Sequence, residues 1–330
     1  MSLSNKIEIS VIIATRNRFS SLLKTLKSIQ GQTYQPAETI IVDASDRTEQ
    51  LPTKWDGSMP VTWFSHSPSV CAQRNFGIKK AISDWIFICD DDIELDKKYF
   101  DELIKHCKAN PSCGSVAGLL LQKENGQWVK NYPVKSFAQL VWKFIFQLSI
   151  WGEINVRPPS LWMPFYGGIK KFYQRKANTM TLAGWPLITQ WDEAVIKTKF
   201  YSLGATLIRK DWLLNSPYNE NLDASGIGDN YVVAKGFPGD RPIHVLSSTY
   251  ALHHKVSENR MTEPRSRSRR ILALNYFLSI GYTSLLTRAF FVWSSFSYVL
   301  LCSIKDRRNF VLFLKTFLKC LLGKSSIEKH

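Results

Sequence analysis

Acidic residues are the minority charge in this sequence. Its 330 residues contain 27 Asp and Glu against 43 Lys and Arg, which gives a formal net charge of +16 at pH 7. A chain with this shortage of acid attracts anions, so nucleic acid, a phospholipid surface and phosphorylated small molecules all suit it as partners. The charge alone does not choose among them.

Closely spaced cysteine pairs are also lacking. The six cysteines include no CxxC pair, so a metal cluster built of cysteines is not expected. A chain of this length buries a sizeable core without disulfides, and we therefore expect reduced thiols and an intracellular protein. The N-terminal residues have no basic stretch followed by a long apolar run, because VIIA is short and Arg16 and Arg18 follow it, so secretion is not indicated.

Glycine-rich phosphate loops are missing as well. The segment ATRNRFSS after the first predicted strand contains no glycine, and the chain has no GxGxxG after a strand. These absences argue against a dehydrogenase and against a sugar-nucleotide pyrophosphorylase. No recognised RNA- or DNA-binding motif occurs, so nucleic acid is not an expected partner.

What the first hundred residues do contain is an alternation of strand and helix patterns. The predicted elements are the strand Ile7–Thr15, a helix at 19–32, the strands Ala37–Asp43 and Val61–His66, the helix Ala72–Ala81 and a strand at 85–89. This half-Rossmann order predicts a parallel sheet whose ligands gather at the carboxyl ends of the strands. Thr15, Asp43 and the acids at 90–92 fall at those ends.

The stretch WIFICDDD sets an apolar strand against Asp90, Asp91 and Asp92. Adjacent carboxylates repel one another, and a hard divalent cation such as Mg²⁺ relieves the repulsion. On a strand-like backbone Asp90 and Asp92 share a face and Asp91 points away. The alternative is a solvated acidic loop that caps a helix in DIELDKKYFDELIKHC.

Three blocks, IEISVIIATRNR, IIVDASD and AQRNFGIKKAISDWIFICDDDIELD, closely resemble the ordered motifs of GT-A glycosyltransferases of family 2, which are inverting and use nucleotide-activated sugars. The resemblance covers roughly residues 7 to 120 and resumes more weakly at 201 to 254. It implies an α/β, Rossmann-like nucleotide-diphospho-sugar transferase fold with a mixed, mainly parallel central sheet.

The resemblance also implies roles for residues at the strand ends. The donor nucleotide would be bound by Ala14, Thr15, Arg16, Asp43, Arg74, Asp90 and Asp91, with Asp43 on the base or ribose and Arg74 near the diphosphate or base. Asp90 and Asp92 would hold Mg²⁺ or Mn²⁺ as a DxD motif. Thr15 as a strand-end cap and Arg74 as a surface helix charge are the alternatives. Ala44 stands where the family often has a second acid.

The second half supplies a candidate base. YSLGATLIRKDWL and NENLDASGIGDNYVVAKGF resemble the family's acceptor-site strand and helix start, which matches Asp229 to the general base and puts Gly228 in place of the customary Glu. A plain helix N-cap is the alternative for Asp229, and Asp223 is a second candidate base. His253 or His254 would complete the metal site in the manner of some family members, although a lone histidine is as often structural.

The C-terminal region has a different character. Six of the eleven tryptophans lie between about 125 and 195, either as an aromatic subcore or near lipid headgroups. Beyond the basic run Arg265 to Arg270 come two uncharged stretches, 271–287 and 289–304, that are each short for a membrane span. The segment NFVLFLKTFLKCLLGK predicts a basic amphipathic helix at a membrane interface, with packing on the protein's own core and a membrane hairpin as alternatives.

We therefore predict three segments: a nucleotide-sugar-binding half at 1–120, an acceptor-binding half at 121–255, and a membrane-associating helical region at 256–330. The predicted protein is an inverting, metal-dependent glycosyltransferase, peripheral on the cytoplasmic face of an anionic membrane, that acts on a glycan or lipid-linked acceptor of polysaccharide type. The alternatives are a non-catalytic homologue acting as a membrane scaffold and a basic nucleic-acid-binding protein.

Overall fold

β-branched and aromatic runs form the strands, and the amphipathic runs between them form helices. A computed structural model describes residues 7–46, 57–222, 226–255, 261–281 and 283–323. The strands are β1 Ile9–Thr15, β2 Glu38–Asp43, β3 Val61–Ser65, β4 Trp85–Asp90, β5 Ile93–Leu95, β6 Ser115–Glu124, β7 Gln127–Val129, β8 Ile150–Trp151, β9 Leu187–Ile188, β10 Val195–Thr198, β11 Ala205–Arg209 and β12 Ile243–His253. The helices are α1 Phe19–Gln30, α2 Val70–Lys80, α3 Tyr99–Ala109, α4 Phe137–Ile145, α5 Met163–Lys176, α6 Lys210–Asn215, α7 Asp229–Lys235, α8 Glu263–Ile280, α9 Leu285–Lys305 and α10 Phe310–Leu321.

Ten of these strands form one mixed sheet in the order β10-β12-β6-β11-β4-β1-β2-β3, with β5 on β12 and β7 on β6. Strand β1 lies between β2 and β4, parallel to both, and β2 runs parallel to β3. Strand β11 is antiparallel to β4 and to β6, and β12 is parallel to β6. The sheet confirms the predicted α/β class with a mixed, mainly parallel sheet.

The elements predicted for the first hundred residues are all present, with ends moved by a few residues. The alternative considered for the acids at 90–92, a loop that caps the next helix, does not match the structure. Strand β4 includes Asp90, a short strand β5 follows at Ile93, and α3 begins only at Tyr99. The extended backbone on both sides of the acids is what turns successive side chains to opposite faces.

The chain folds into two compact units. One consists of Met1–Lys130, Ala194–Lys197 and Tyr201–Arg260, and the other of Asn131–Glu193, Thr198–Phe200 and Met261–His330. The second unit has its own apolar core, which includes Leu140, Ile169 and Tyr173. Trp185 and Trp191 are buried while Trp162 is 49% exposed, so the tryptophan-rich stretch is in part an aromatic subcore. The three-segment division of the sequence stays a prediction.

The C-terminal basic and uncharged stretches fall in two helices. The basic run Arg265 to Arg270 lies inside α8, and Arg288, which separates the two uncharged stretches, lies inside α9. The side chain of Ser284 caps α9 by accepting from the Thr287 backbone N–H at 3.1 Å. The 20-residue stretch Leu285–Ile304 is long and apolar enough to cross a membrane, and 33% of its best window is buried in the protein. A core helix of a soluble protein passes the same test.

Candidate active site

The end of β4 and the turn that follows it at residues 91 and 92 send the three acids in two directions. The carboxylate of Asp91 turns into the protein, where it accepts from the Thr15 hydroxyl at 2.7 Å and from an Arg18 guanidinium nitrogen at 3.1 Å. Burial raises the pKa of Asp91 to about 6, although Arg18 and Thr15 oppose the rise. Asp90 and Asp92 face the other way, in agreement with the predicted pairing.

A histidine side chain lies beside Asp90 and Asp92. The His253 Nε2 atom lies 3.1 Å from an Asp92 carboxylate oxygen, and one donor atom from each of Asp90, Asp92 and His253 lies within 4.8 Å of the others. His254, the other candidate, instead pairs with Glu94 at 2.8 Å and is 41% exposed. Of the two histidines, the structure therefore brings His253 to the acids.

This donor set fits a hard divalent cation. Two carboxylates and one imidazole suit Mg²⁺ or Mn²⁺, which take oxygen ligands and tolerate imidazole, and leave positions for water or phosphate. The three side chains come from β4, from the β4–β5 junction and from the last residue of β12, so the sheet itself holds them in place. Asp90, Asp92 and His253 are the residues that would hold the ion.

Gly204 lies in close contact with Asp90, one of the three candidate cation ligands. The Asp90 backbone N–H donates to the Gly204 carbonyl at 2.8 Å, and a Cβ atom on Gly204 would overlap the Asp90 carboxylate. We expect Gly204→Ala to displace that carboxylate and weaken Mn²⁺ binding by about 10–100-fold, the usual effect of disturbing a ligand's support. Electron paramagnetic resonance of free Mn²⁺ measures this.

Gly168→Ala is the matched control, because a Cβ atom there meets nothing within 4 Å. Equal Mn²⁺ affinity in both variants and the wild type would show that Gly204 has no part in holding Asp90.

Arg74, on α2, joins the acids to the second half of the unit. One guanidinium nitrogen donates to Asp90 at 2.7 Å and another to the Asp229 carboxylate, and the Tyr218 ring lies 5.1 Å from the guanidinium carbon. Burial lowers the pKa of Arg74, but the negative charges around it, Asp229 first and Asp90 among the others, together outweigh burial and hold the pKa above its ordinary value. A single buried cation therefore balances two carboxylates that lie far apart in sequence.

Asp229 is the first residue of α7 and is 5% exposed. Its second carboxylate oxygen accepts from the Asn230 backbone N–H at 2.7 Å. Gly228 before it has φ 94°, in the left-handed region, so a glycine rather than the family's customary Glu suits this backbone. Asp223, the other candidate base, lies outside the described residues.

The other residues predicted to bind the donor nucleotide lie at the ends of β1 and β2. Asp43 is 2% exposed, and one of its oxygens accepts from the Ser45 hydroxyl at 2.6 Å, while the other has no hydrogen-bond partner among the described residues. An unpaired buried carboxylate oxygen is costly unless a ligand donates to it, which suits a nucleotide N–H or O–H group. Thr15 pairs with Asp43 across the two strands, and Ala14 pairs with Asp90.

Arg16 is more exposed than its neighbours on β1. Its guanidinium forms an ion pair with Asp46 at 2.9 Å, with the side chains 40% and 58% exposed. The nucleotide-binding roles predicted for Ala14, Thr15, Arg16, Asp43, Arg74, Asp90 and Asp91 stay predictions.

Sequence reasoning missed two polar residues that shape the site. Gln73 is buried and its amide donates to the backbone carbonyls of Thr15 and Val42, at 2.9 and 2.7 Å, which ties β1 to β2. Asn75 exchanges hydrogen bonds with the backbone of Tyr218 at 2.8 and 2.9 Å. The clue was a run of polar residues, AQRN, in a helix that must pack against a sheet.

Taken together, these elements bring three candidate cation ligands, a buried arginine and the carboxylate of Asp229 to one side of a Rossmann-like sheet. The sequence profile described as "Glycosyl transferase family 2" matches residues 10–179, which is just over half of the chain. The protein belongs to this family, and the predicted family and class are thereby confirmed.

Relatives agree with the family assignment. The chain is 31% identical over 137 residues to the uncharacterized glycosyltransferase YwdF of Bacillus subtilis (strain 168), which is 40% of this chain and 50% of YwdF. It is 28% identical over 138 residues, 40% of this chain and 44% of the relative, to the GalNAc(5)-diNAcBac-PP-undecaprenol beta-1,3-glucosyltransferase of Campylobacter jejuni. The matches span half or less of the curated relatives' own length.

Solved structures share the fold. S. aureus TarS 1-349 in complex with UDP-GlcNAc superimposes with a TM-score of 0.56 at 15% identity, over 95% of this chain and 81% of that one. GalNAc-T7 with UDP, GalNAc and Mn²⁺ gives a TM-score of 0.56 at 12% identity, over 98% and 59%. At such low identity the likeness concerns the fold, and it confirms the predicted GT-A architecture.

Proposed function

We propose that this protein transfers a sugar from a nucleoside-diphosphate donor to an acceptor hydroxyl, with inversion at the anomeric carbon. The observation that carries the proposal is the bridge made by Arg74 between Asp90, in the cation group, and Asp229, at the start of α7. Through this bridge, one guanidinium group contacts both a candidate metal ligand and a candidate base. Both UDP complexes of structural neighbours support the choice of donor.

In the proposed reaction, the acceptor oxygen forms a bond to the anomeric carbon while the bond from that carbon to the diphosphate oxygen breaks. Asp229 takes the hydroxyl proton, and the bonding electrons leave with the nucleoside diphosphate. Arg74 stabilises the charge that develops on the leaving diphosphate. A divalent ion held by Asp90, Asp92 and His253 would supply further electrostatic stabilisation of the same charge.

The present pairing of Arg74 suggests how the base becomes available. A donor diphosphate is a competing anion for the guanidinium, and bidentate guanidinium–phosphate hydrogen bonds are strong. As Arg74 turns toward the diphosphate, an Asp229 oxygen is released to accept the proton from the acceptor. Donor binding would therefore precede activation of the acceptor.

A panel of UDP-, GDP-, TDP- and CDP-activated sugars tests the proposed function. We expect one donor to be hydrolysed slowly without acceptor, in Mn²⁺ or Mg²⁺ and not in EDTA. Binding of no donor in any of these conditions would support the scaffold alternative and overturn the proposal.

We further propose that the protein lies on the cytoplasmic face of a membrane and takes a lipid-linked acceptor. Helix α10 exposes Val311, Leu318 and Leu321 by 58%, 43% and 55%, beside the exposed Lys315. Apolar side chains flanked by cations are typical of helices that lie in a lipid interface. The C. jejuni relative, whose name includes a PP-undecaprenol-linked glycan, supports this class of acceptor.

Apolar residues on α10 give a test of membrane binding. We expect Val311→Asp and Leu318→Asp each to weaken binding to phosphatidylcholine–phosphatidylglycerol vesicles by about tenfold, since burying one such side chain is worth about 1.5–3 kcal/mol. Co-sedimentation measures the change. Ile82→Asp is the control, because Ile82 is 72% exposed in the other unit. Vesicle binding that survives both α10 substitutions, or retention on DNA instead, would count against this orientation.

A further inference from the structure

A second cluster of metal-binding side chains lies away from the site described above. His106 is near the end of α3, Cys113 precedes β6, and His244 is the second residue of β12. One donor atom from each lies within 4.8 Å of the others. All three belong to the same compact unit.

This cluster is distinct from the acidic group. His244 and His253 stand on β12 opposite Val116 and Gln122 of β6, which are six residues apart, or roughly 20 Å at about 3.3 Å per residue. His244 lies at the beginning of the strand and His253 at its end. The two groups of ligands therefore occupy opposite edges of the sheet.

The polar atoms of the cluster form hydrogen bonds with one another. His106 Nε2 lies 2.8 Å from His244 Nδ1, so one ring donates to the other, and the rings meet edge to face with centroids 5.1 Å apart. Cys113 accepts hydrogen bonds from the Cys107 thiol and from His244. Lone pairs from two imidazoles and one sulfur thus converge on a small volume.

A thiolate and neutral imidazoles are the forms in which cysteine and histidine bind a metal, so an ion that binds here would displace the protons that these side chains now share in hydrogen bonds.

We propose that His106, Cys113 and His244 bind one Zn²⁺ ion, with water in the fourth position. Zinc takes Cys at about 2.3 Å and His at about 2.0–2.1 Å in tetrahedral geometry, which separates ligand atoms by roughly 3.3–3.6 Å. The two histidine nitrogens need to move apart by only roughly 0.5 Å from their hydrogen-bonded distance to reach it. Sulfur and imidazole are a soft set, unlike the carboxylates at the other edge, so the two groups select different metals.

The bound ion would have a structural role. It would join the end of α3 to the beginnings of β6 and β12, two strands that already pair with each other at Val116 and His244. A ligand that binds the folded state alone stabilises it, so Zn²⁺ should raise the melting temperature by a few degrees when in excess over its dissociation constant.

Cobalt substitution of the purified, reduced full chain tests the proposal. Co²⁺ bound to a thiolate gives a sulfur-to-metal charge-transfer band, which the sulfur-free group of Asp90, Asp92 and His253 does not produce. We expect one equivalent of Co²⁺ to produce the band, Zn²⁺ to displace it, and Cys113→Ser and His106→Asn each to abolish it. Cys302→Ser and Asp92→Asn should retain it.

Two outcomes would overturn the proposal: no band in the wild-type chain, or a band unchanged in the His106→Asn variant. If the buried Cys113→Ser variant fails to fold, His106→Asn decides, because His106 is partly exposed and its replacement is expected to leave the far-ultraviolet circular dichroism unchanged.

Discussion

Replacing Asp229 with asparagine is expected to lower sugar transfer by about 10²–10⁴-fold, the range for loss of a general base. Asparagine has nearly the same shape, and its side-chain oxygen can still accept from the Asn230 backbone N–H, so α7 should keep its start. Donor binding should stay close to the wild-type value because Asp90, Asp92 and His253 are untouched. Initial rates with the donor identified in the panel, and donor affinity by calorimetry, measure the two quantities.

Asp211→Asn is the matched control for this substitution. Asp211 also lies in the first turn of a short helix and pairs with an arginine, Arg209, at 3.0 Å, but it has no place in the proposed site. Wild-type transfer by the Asp229→Asn variant would remove Asp229 from the mechanism. An equal loss in both variants would point to damaged folding rather than to chemistry.

Replacing Arg74 with methionine is expected to lower the free energy of unfolding by roughly 3–5 kcal/mol, because removing one partner of a buried ion pair leaves the other charge uncompensated. The side chains of Arg74 and Asp229 are only 11% and 7% exposed, and Asp90 shares the same guanidinium. Urea unfolding at neutral pH, followed by circular dichroism in EDTA, measures the change. Added Mn²⁺ should restore part of the loss by neutralising Asp90.

Arg209→Met provides the comparison for stability. Arg209 and Asp211 are 46% and 54% exposed, so their ion pair should be worth only about 0–1 kcal/mol. If Arg74→Met unfolded at the same urea concentration as Arg209→Met, the buried bridge would not be an important support of the site.

The sequence was sufficient to predict the β1–β4 core and the strand-end positions of Thr15, Asp43 and Asp90. Parallel strands in this order leave little freedom, because period-2 apolar runs fix which residues are buried and the crossover rules fix where the strands end. The alternation of Asp90 and Asp92 followed from the same geometry. The pairing of the acids with a histidine from β12 came only as a family resemblance, since nothing local connects residues 92 and 253.

Other features had no signal in the sequence. The bridge from Arg74 to Asp229 joins side chains 155 positions apart, and neither neighbourhood shows that the other exists. Gln73 and Asn75 are polar residues on the buried side of α2, which makes that helix look like a surface helix to a periodicity test.

The metal-binding cluster at His106 was missed for a related reason. A search for paired cysteines does not find a mixed site whose ligands come from a helix end, a loop and a distant strand. Only the pairing of β12 with β6 brings His244 next to Cys113.

The position of β12 in the sheet also bears on how the protein is made. Strand β12 delivers His253 to acids that are translated about 160 residues earlier, a delay of roughly 10–30 s at 5–20 residues per second. During that interval the nascent chain contains Asp90 and Asp92 but not His253. Strand β12, which pairs with β6 in the folded protein, has not yet been made. Assembly of the cation group therefore marks the completion of the first unit, and a chain truncated before residue 243 would emerge with an open sheet edge for chaperones to cover.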